Sequence, residues 1–381
     1  MAAIILIGIG ILVVSKTSNR QENQTDNQKT NPSKTEKERS NPVITRLPSC
    51  VGNSLYTISP LPLNKIDFIL PLGNLNPSGH STPSDHIYFV ITRKEGSNNQ
   101  EIVDLFAPGD ITIYTVGKQI KSTSGKIDVV DYFIDFASCK EVYGRFGHVS
   151  DLAGQLANLK FKDCSSYSGG TADLYEQCRA NVNIKLKAGE KLGTAGRTAA
   201  FDFNTYDDRL PDPYVANRTR GYNLKAACPL DYYSVETKAK LVPLLGGGDK
   251  KRTAEPVCGD VFQDKAGTLQ GNWYIGLADA GWAEMMSLVH DHIDPTVGVI
   301  SIGGVVTDPG IWQFTPQHSG TVNREFSEVT VGDIIYCYQS SKKTGSRFLI
   351  QLFEETKLKI EVQSGQCKDG LKLNSPTTYQ R

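Results

Sequence analysis

The sequence lacks an excess of either charge, and this absence limits the partners that it can bind. Its 381 residues include 41 Lys and Arg against 41 Asp and Glu, so the formal net charge is zero. A protein that neutralises a phosphate backbone needs a surplus of basic side chains, so nucleic acid is not an expected partner. The length is sufficient for two or three domains of roughly 150 residues each and for a sizeable hydrophobic core.

Methionine, histidine and closely paired cysteines are also scarce. The chain has three Met and six His, and its eight Cys never occur as C-x-x-C. A zinc ribbon or a thioredoxin-type site is therefore unsupported, whereas an even number of cysteines suggests disulfides in an oxidising compartment. The spacing of Cys164 and Cys178 suits a local bridge, and a bridge from Cys228 to Cys258 would join the two domains described below.

The apolar run at the N-terminus is short for a bilayer-spanning segment. Residues 2–14 contain no polar side chain, and thirteen residues in a helix measure about 20 Å against a hydrocarbon core of roughly 30 Å. The run resembles the apolar part of an export signal, cleaved or retained as a membrane anchor, and residues 1–14 are assigned to it. Residues 15–46 are assigned to a polar tether, because residues 15–42 contain no Val, Ile, Leu, Met or aromatic side chain. We therefore expect an exported protein, secreted or held at the extracellular face of the membrane.

The rest of the chain has the pattern of a mainly β protein. Short β-branched and aromatic runs alternate with Gly, Pro and Asn clusters, which predicts antiparallel sheets and few short helices, the latter at 150–159, 172–178 and 279–289. We assign residues 47–245 to a first β domain of sheet or sandwich type, 246–257 to a linker and 258–381 to a second β domain. LQGNWYIG in the second domain has the G-x-W pattern that opens lipocalin-like barrels, so these strands could close into a barrel.

Histidine and aspartate occur at three places that could carry chemistry. His80, Asp85 and His86 lie in a loop rich in Gly and Pro before an apolar strand, and zinc accepts both imidazole and carboxylate ligands. His148 follows a strand hairpin, in the segment GRFGHVSDL. Asp202 lies in the alternating segment AFDFNT, where Ala200 and Asp202 share one face of a strand.

The order of these segments resembles that of the lysostaphin-type (LytM-like) zinc endopeptidases, whose β-sheet domain is also called the duplicated hybrid motif. FAPGDITI matches the family's apolar-AP-G element, GHVSDL its Y-x-HL element and KAGEKLGTAG its AG-x-x-IG-x-x-G element, within about residues 65 to 210. The resemblance implies a zinc site formed by His80, by Asp85 or His86, and by Asp202. It places His148 on the position of an active-site histidine that orients or deprotonates water.

Two departures from the family pattern bear on activity. His80 and Asp85 are separated by four residues instead of three, and Ala200 replaces a second active-site histidine. The leading hypothesis is therefore a cell-surface protein whose peptidase-like domain has lost catalysis and serves as a scaffold that binds cell-wall glycan or peptide. The second hypothesis is a metal-dependent endopeptidase or amidase that acts on cell-wall peptides with zinc as its cofactor. The third is a small-ligand carrier that uses the C-terminal barrel.

Overall fold

The computed structural model describes residues 41–77, 79–168, 173–214, 224–276, 281–340, 342–343, 345–368 and 370–381. The predicted signal or anchor at 1–14 and the tether up to residue 40 lie outside the described residues. Among those that are described, no helix combines the length and the apolar character needed to cross a membrane.

An antiparallel sheet forms the first domain. Its described strands are β1 (Ile66–Leu70), β2 (Ile87–Ile91), β3 (Val103–Phe106), β4 (Ile111–Thr123), β5 (Lys126–Ala137), β6 (Val142–Leu152), β7 (Lys162–Ser168), β8 (Asp173–Leu186), β9 (Lys191–Ala195), β10 (Ala200–Asp207) and β11 (Ala226–Ala227). The order across the sheet is β1-β2-β10-β6-β5-β4-β8-β7, while β9 joins β3 to β6 and β11 pairs with β10. β2, which follows the segment with His80 and His86, and β6 and β10, which contain His148 and Asp202, are therefore adjacent, with β10 between the other two.

A second antiparallel sheet forms a nearly closed barrel. After the short hairpin of β12 (Gly246–Gly247) and β13 (Lys250–Lys251), its strands are β14 (Gly271–Tyr274), β15 (Met285–His290), β16 (Gly298–Ile302), β17 (Gly310–Phe314), β18 (Tyr336–Gln339), β19 (Ser346–Glu354), β20 (Lys357–Ser364) and β21 (Thr377–Gln380). Each strand pairs with the next in sequence except β17 with β18, and β14 pairs with β21. The predicted mainly β class and the barrel-like second domain are confirmed.

Helical structure is short. In the described chain the α-helix is α1 (Val235–Leu241), whose N-cap Ser234 accepts a hydrogen bond from the backbone of Thr237. Single 3-10 turns lie at Ile44–Arg46, Leu63–Lys65, Gly154–Leu156, Pro229–Tyr232, Val242–Leu244, Trp282–Glu284 and Phe326–Glu328. None of the three spans predicted as helices is an α-helix in its described residues: 150–159 comprises the end of β6, a 3-10 turn and a loop, 173–178 lies in β8, and 281–289 comprises a 3-10 turn and most of β15. Pairing with neighbouring strands outweighs the weak local preference that leucine spacing expresses.

Packing moves two predicted boundaries. Ile44 is 2% exposed and packs against Tyr143 and Tyr206, so the tether predicted to reach residue 46 ends earlier. Cys258 and Val261 pack in the core of the first domain, so the barrel domain begins after them rather than at residue 258.

Four disulfides pair all eight cysteines: Cys50–Cys139, Cys164–Cys178, Cys228–Cys258 and Cys337–Cys367. The two bridges predicted from sequence are therefore confirmed. Because Cys258 belongs to the first core, its bridge stabilises the first domain instead of joining the two domains. Four disulfides are typical of a protein that resides in an oxidising compartment.

Alternation along β10 and β2 determines which side chains enter the core of the first domain. Phe201 and Phe203 of β10 are fully buried beside Phe89 of β2, with ring centroids 5.9 and 6.4 Å from that ring. Successive side chains of a strand point to opposite faces, so Asp202 and Tyr88 lie on the other side of the sheet. The aromatic core thereby fixes the face on which the candidate site forms.

Candidate functional site

The register of three strands brings the predicted site residues together. Asp202 lies opposite Tyr88 of β2 on one side and Gly147 of β6 on the other. His86 precedes β2 and His148 follows Gly147, so the two histidines flank the aspartate. His86 Nε2 is 3.7 Å and His148 Nε2 is 3.5 Å from the same oxygen, Asp202 Oδ2. In a tetrahedral zinc site with ligands at about 2.0 to 2.1 Å, neighbouring ligand atoms are about 3.3 Å apart, so both distances are close to ligand spacing.

His148 occupies an unusual backbone position. Its φ angle is +57°, in the left-handed region that residues other than glycine seldom adopt. At this point the register between β5 and β6 shifts, between the pairs Tyr132–Val149 and Ile134–Phe146, which is a β-bulge. The bulge re-aims the imidazole towards Asp202. His148 therefore lies within a strand, not in the turn before a helix that the sequence suggested.

Glycine at position 147 provides the space that Asp202 occupies. A Cβ built on Gly147 would lie 3.0 Å from Asp202 Oδ2 and 3.1 Å from Asp202 Cβ. These distances are shorter than ordinary van der Waals contacts, so any side chain here would displace the carboxylate.

Each of the two flanking histidines is held by a carboxylate at Nδ1. His148 Nδ1 is 2.6 Å from Asp131 Oδ2, and His86 Nδ1 is 3.1 Å from Asp85 Oδ1. A carboxylate at Nδ1 fixes the tautomer and the ring orientation and leaves Nε2 available, which is the common arrangement behind metal-bound histidines. Both Nε2 atoms are thereby directed at Asp202.

The structure distinguishes Asp85 from His86 as the second ligand. Asp85 Oδ1 accepts a hydrogen bond from Asn204 Nδ2 and Asp85 Oδ2 accepts one from Tyr206 OH, both at 2.9 Å. In contrast, His86 Nε2 and Asp202 Oδ1 are buried and have no hydrogen-bond partner. Buried polar atoms are rarely left unpaired, so these two atoms fit the ligands of a cation, whereas both oxygens of Asp85 already accept hydrogen bonds.

His80 supplies a third imidazole beside this pair. Its ring centroid is 5.2 Å from that of His86 and 6.4 Å from that of Tyr88. The imidazoles of His80, His86 and His148 thus surround the carboxylate of Asp202, and the set that the resemblance implies, His80, His86 and Asp202, lies within this cluster.

In the described cluster of histidines and Asp202, the ligand atoms are farther apart than those of a zinc site with its ion bound. The groups of described residues that place three ligand atoms within 4.8 Å of one another are Cys50, Cys139 and Glu141, and Cys164, Glu176 and Cys178. Their sulfurs are in disulfides and bind no metal. The histidine–aspartate cluster does not reach this spacing, so its side chains must rotate inwards to share one ion.

Burial and neighbouring charges lower the pKa of His80 and raise the pKa of His148 and His86. Burial lowers the pKa of His80 to about 4, and the neighbouring His86 adds to this effect. Burial opposes the charged form of His148 as well, but the charge of Asp202 and the hydrogen bond with Asp131 outweigh it and raise the pKa to about 9. The pKa of His86 is raised too, because the adjacent carboxylates outweigh its burial. The carboxylates thus already favour positive charge at the place where a cation would bind.

Sequence reasoning missed two members of the site. Tyr88 follows His86 by two residues, so strand alternation could have identified it as a neighbour on the same face. Its ring centroid lies 4.5 Å from that of His86. Asp131 precedes His148 by 17 residues, and only the pairing of β5 with β6 reveals their contact.

Comparisons of the chain with protein-family models, with curated proteins and with solved structures found no match. Its function is therefore inferred from its own residues and their geometry.

Proposed function

We propose that the protein is a zinc-dependent hydrolase, similar to the lysostaphin-type endopeptidases, that cleaves amide bonds in cell-wall peptides. The supporting observation is a pair of buried atoms without a hydrogen bond, His86 Nε2 and Asp202 Oδ1, of which His86 Nε2 lies 3.7 Å from the other carboxylate oxygen of Asp202. Leaving such atoms without partners costs free energy of folding, and a metal ion bound between them would recover it. The motifs FAPGDITI, GHVSDL and KAGEKLGTAG support the same family.

The chain's own residues divide into those that hold the ion and those that handle protons. His80, His86 and Asp202 would hold zinc, and Asp85 keeps His86 oriented through Nδ1. When bound, zinc polarises a scissile carbonyl and lowers the pKa of a coordinated water. His148, whose pKa is raised to about 9, would deliver a proton from Nε2, while Asp131 holds its Nδ1 at 2.6 Å.

The compartment supports a substrate outside the cell. Four disulfides fit an oxidising environment, and the apolar segment 1–14 followed by a polar tether fits export and attachment to a membrane. A protein tethered in this way meets wall glycan and peptide, the partners that the resemblance implies.

One departure from the lysostaphin-type pattern, the alanine at position 200, favours a second function, which is binding without catalysis. Ala200 lies on the strand face of Asp202, two residues before it, where the family has a second active-site histidine. Its methyl group carries no proton, so His148 would be the one imidazole left for proton transfer. A protein that retained the metal but not turnover would be a surface binding protein.

The interior of the barrel gives little support to the third hypothesis, a small-ligand carrier. Its interior is filled with fully buried side chains that pack on one another, including Trp273, Phe326, Tyr338 and Phe348. Trp273 donates to the carbonyl of Leu269 at 2.9 Å and is a core anchor.

Zinc binding and turnover, measured on the purified full chain with its disulfides intact, test the proposal. Zinc stoichiometry and chelator competition give the affinity, and cross-linked wall peptides serve as the substrate. We expect one zinc per chain, loss of that zinc in Asp202→Ala, and retained zinc with turnover reduced at least about 100-fold in His148→Asn. Asparagine tolerates the left-handed backbone of position 148, so this variant changes the side chain without adding strain.

His318 provides a matched control. It lies on the barrel, its side chain is 75% exposed, and it contacts Glu328. His318→Ala should leave both zinc content and turnover unchanged. A wild-type chain without stoichiometric zinc, or an Asp202→Ala variant that keeps it, would refute the metal site. Zinc without turnover would leave the binding function.

A further inference from the structure

One outer face of the barrel is buried instead of exposed to solvent. Side chains of β15 and β16 alternate between the barrel interior and its outside. The outward residues are nevertheless at most 1% exposed, and they are Ser287, Val289, Val299 and Ser301. Strands that face solvent on one side normally carry exposed polar side chains there, so another part of the chain covers this face.

The cover is the segment that carries the zinc ligands, here called the His80 loop (residues 71–77 and 79–86, between β1 and β2). Leu75 of this loop packs against Val289, Val299 and Ile311 in a small separate apolar cluster. Near the other end of the contact, Ser287 Oγ lies 3.1 Å from the carbonyl oxygen of Ser81 and 2.6 Å from Asn272 Oδ1, so these two acceptors share its one proton.

The base of the His80 loop is fixed by the segment that leads into the barrel. Leu72 donates a backbone hydrogen bond to the carbonyl of Cys258 at 2.9 Å. A Cβ built on Gly73 would lie 2.5 Å from the carbonyl oxygen of Asp260, so glycine permits this close approach. The loop is therefore held between the first domain and the barrel on two sides.

The loop's internal hydrogen bonds connect this contact to the ligand. The backbones of Asn76 and His80 bond to each other in both directions, at 2.7 and 2.9 Å. Leu75 directly precedes Asn76 and Ser81 directly follows His80. Both contacts with the barrel thus lie one residue from the pair that holds His80, so a shift of the barrel face would move the imidazole.

We infer that the barrel is the positioning domain of the zinc site, in which the β15–β16 face holds the His80 loop through the positioning residues Leu75 and Ser287. This inference rests on the proposed function. An irregular loop would have to lose conformational freedom when its histidine bound an ion. Docking on the barrel orders the loop in advance, and a preorganised ligand binds metal more tightly.

Zinc affinity of full-chain variants tests the inference. Leu75→Ala should weaken zinc binding about 10-fold or more, the scale seen when groups behind metal ligands are removed. Leu75→Met, which conserves volume, should restore affinity close to that of the wild type. The absorption spectrum of the cobalt-substituted protein should change in Leu75→Ala and return in Leu75→Met, which a general loss of stability would not produce.

Leu352→Ala is the matched control. It removes the same atoms from a side chain that is 1% exposed and lies in the barrel interior, away from the His80 loop. It should lower the melting temperature while zinc affinity stays within about twofold. If Leu75→Ala fails to fold, Ser287→Ala, which removes one oxygen atom, replaces it in the same comparison.

The outcomes distinguish this inference from the proposed function. Stoichiometric zinc with unchanged affinity in Leu75→Ala, or in Ser287→Ala where that variant replaces it, would overturn the positioning role. A wild-type chain without zinc would overturn the proposed function, and hydrogen exchange would then decide the inference. Faster exchange at the amides of residues 79–82 and 84 in the tested variant but not in Leu352→Ala would support docking, and equal exchange would overturn it.

Discussion

Replacing Asp85 by asparagine should separate the role of a supporting carboxylate from that of a ligand. Asp85 Oδ1 faces His86 Nδ1 at 3.1 Å and Asn204 Nδ2 at 2.9 Å, and Oδ2 faces Tyr206 OH at 2.9 Å. In Asp85→Asn the remaining oxygen can keep the first two bonds. The new amide can donate to the tyrosine hydroxyl, because a hydroxyl both donates and accepts. The variant therefore removes the negative charge and reverses one hydrogen bond, at a tyrosine hydroxyl that already accepts from Asn204 Nδ2 at 2.9 Å.

The expected loss of zinc affinity is about 10- to 100-fold. This is the usual effect of changing the partner behind a metal-bound histidine, and it corresponds to about 1.4 to 2.7 kcal/mol. His86→Asn removes a ligand itself and should abolish stoichiometric binding. In Asp85→Ala the hydroxyl of Tyr206 loses its acceptor Asp85 Oδ2, while Asn204 Nδ2 keeps the hydroxyl of Tyr206 and the backbone carbonyl of residue 85 as acceptors. At about 1 to 3 kcal/mol for an unsatisfied group, this variant should also destabilise the metal-free protein.

Chelator competition at neutral pH measures the affinity, and urea unfolding of the metal-free variants checks the fold. Glu325→Gln is the matched control, because Glu325 also accepts from a histidine, His290, but lies in the barrel. It should not change zinc binding. Wild-type affinity in Asp85→Asn would refute the supporting role. Complete loss in Asp85→Asn with partial loss in His86→Asn would show that the two roles are reversed.

Three further predictions concern the site, the disulfides and acid stability. Gly147→Ala should weaken zinc binding with the fold retained, because the added methyl would displace Asp202, and unchanged chelator competition would contradict this. Replacing Cys228 and Cys258 by serine should lower the free energy of unfolding by about 3.6 kcal/mol in the chain-entropy model for a separation of 30 residues. Urea unfolding should show a similar loss of unfolding free energy when the disulfide Cys337–Cys367, which has the same separation, is removed from the barrel. A negligible loss for either disulfide would contradict the entropic explanation. Burial alone would raise the pKa of Glu325, but its hydrogen bonds lower it from 4.5 to about 2. The ionised form therefore stabilises the fold above about pH 4.5, so the destabilisation caused by Glu325→Gln should shrink as the pH falls towards 2, and a constant difference in urea unfolding would contradict it.

The sequence was sufficient for the parts of the fold that depend on local alternation. Alternation in AFDFNT predicts that Ala200 and Asp202 share one face of a strand, and in the structure Phe201 and Phe203, on the opposite face, lie in the core. The bulge at His148 and its contact with Asp131 depend instead on the register between β5 and β6. Register is set by pairing across the sheet, which spacing along the chain does not reveal.

The boundary between the two domains likewise depends on contacts that the sequence does not reveal. Glycine and charge between residues 246 and 257 resemble a linker, and the sequence therefore places Cys258 in the second domain. In the structure Cys258 and Val261 complete the first core. Burial decides the boundary, and composition is only indirectly related to burial.

Ala200 alone favours a site that has decayed, but the surrounding residues argue for one in use. His148 retains a left-handed backbone, and His86 Nε2 and Asp202 Oδ1 remain buried without partners. Each of these features costs free energy of folding, typically about 1 to 3 kcal/mol. A binding scaffold would gain stability by losing them, for instance through glycine at position 148 or an apolar side chain at position 202. Because the chain retains the costs together with the carboxylates behind both histidines, a bound metal explains this arrangement better than a scaffold without a metal does.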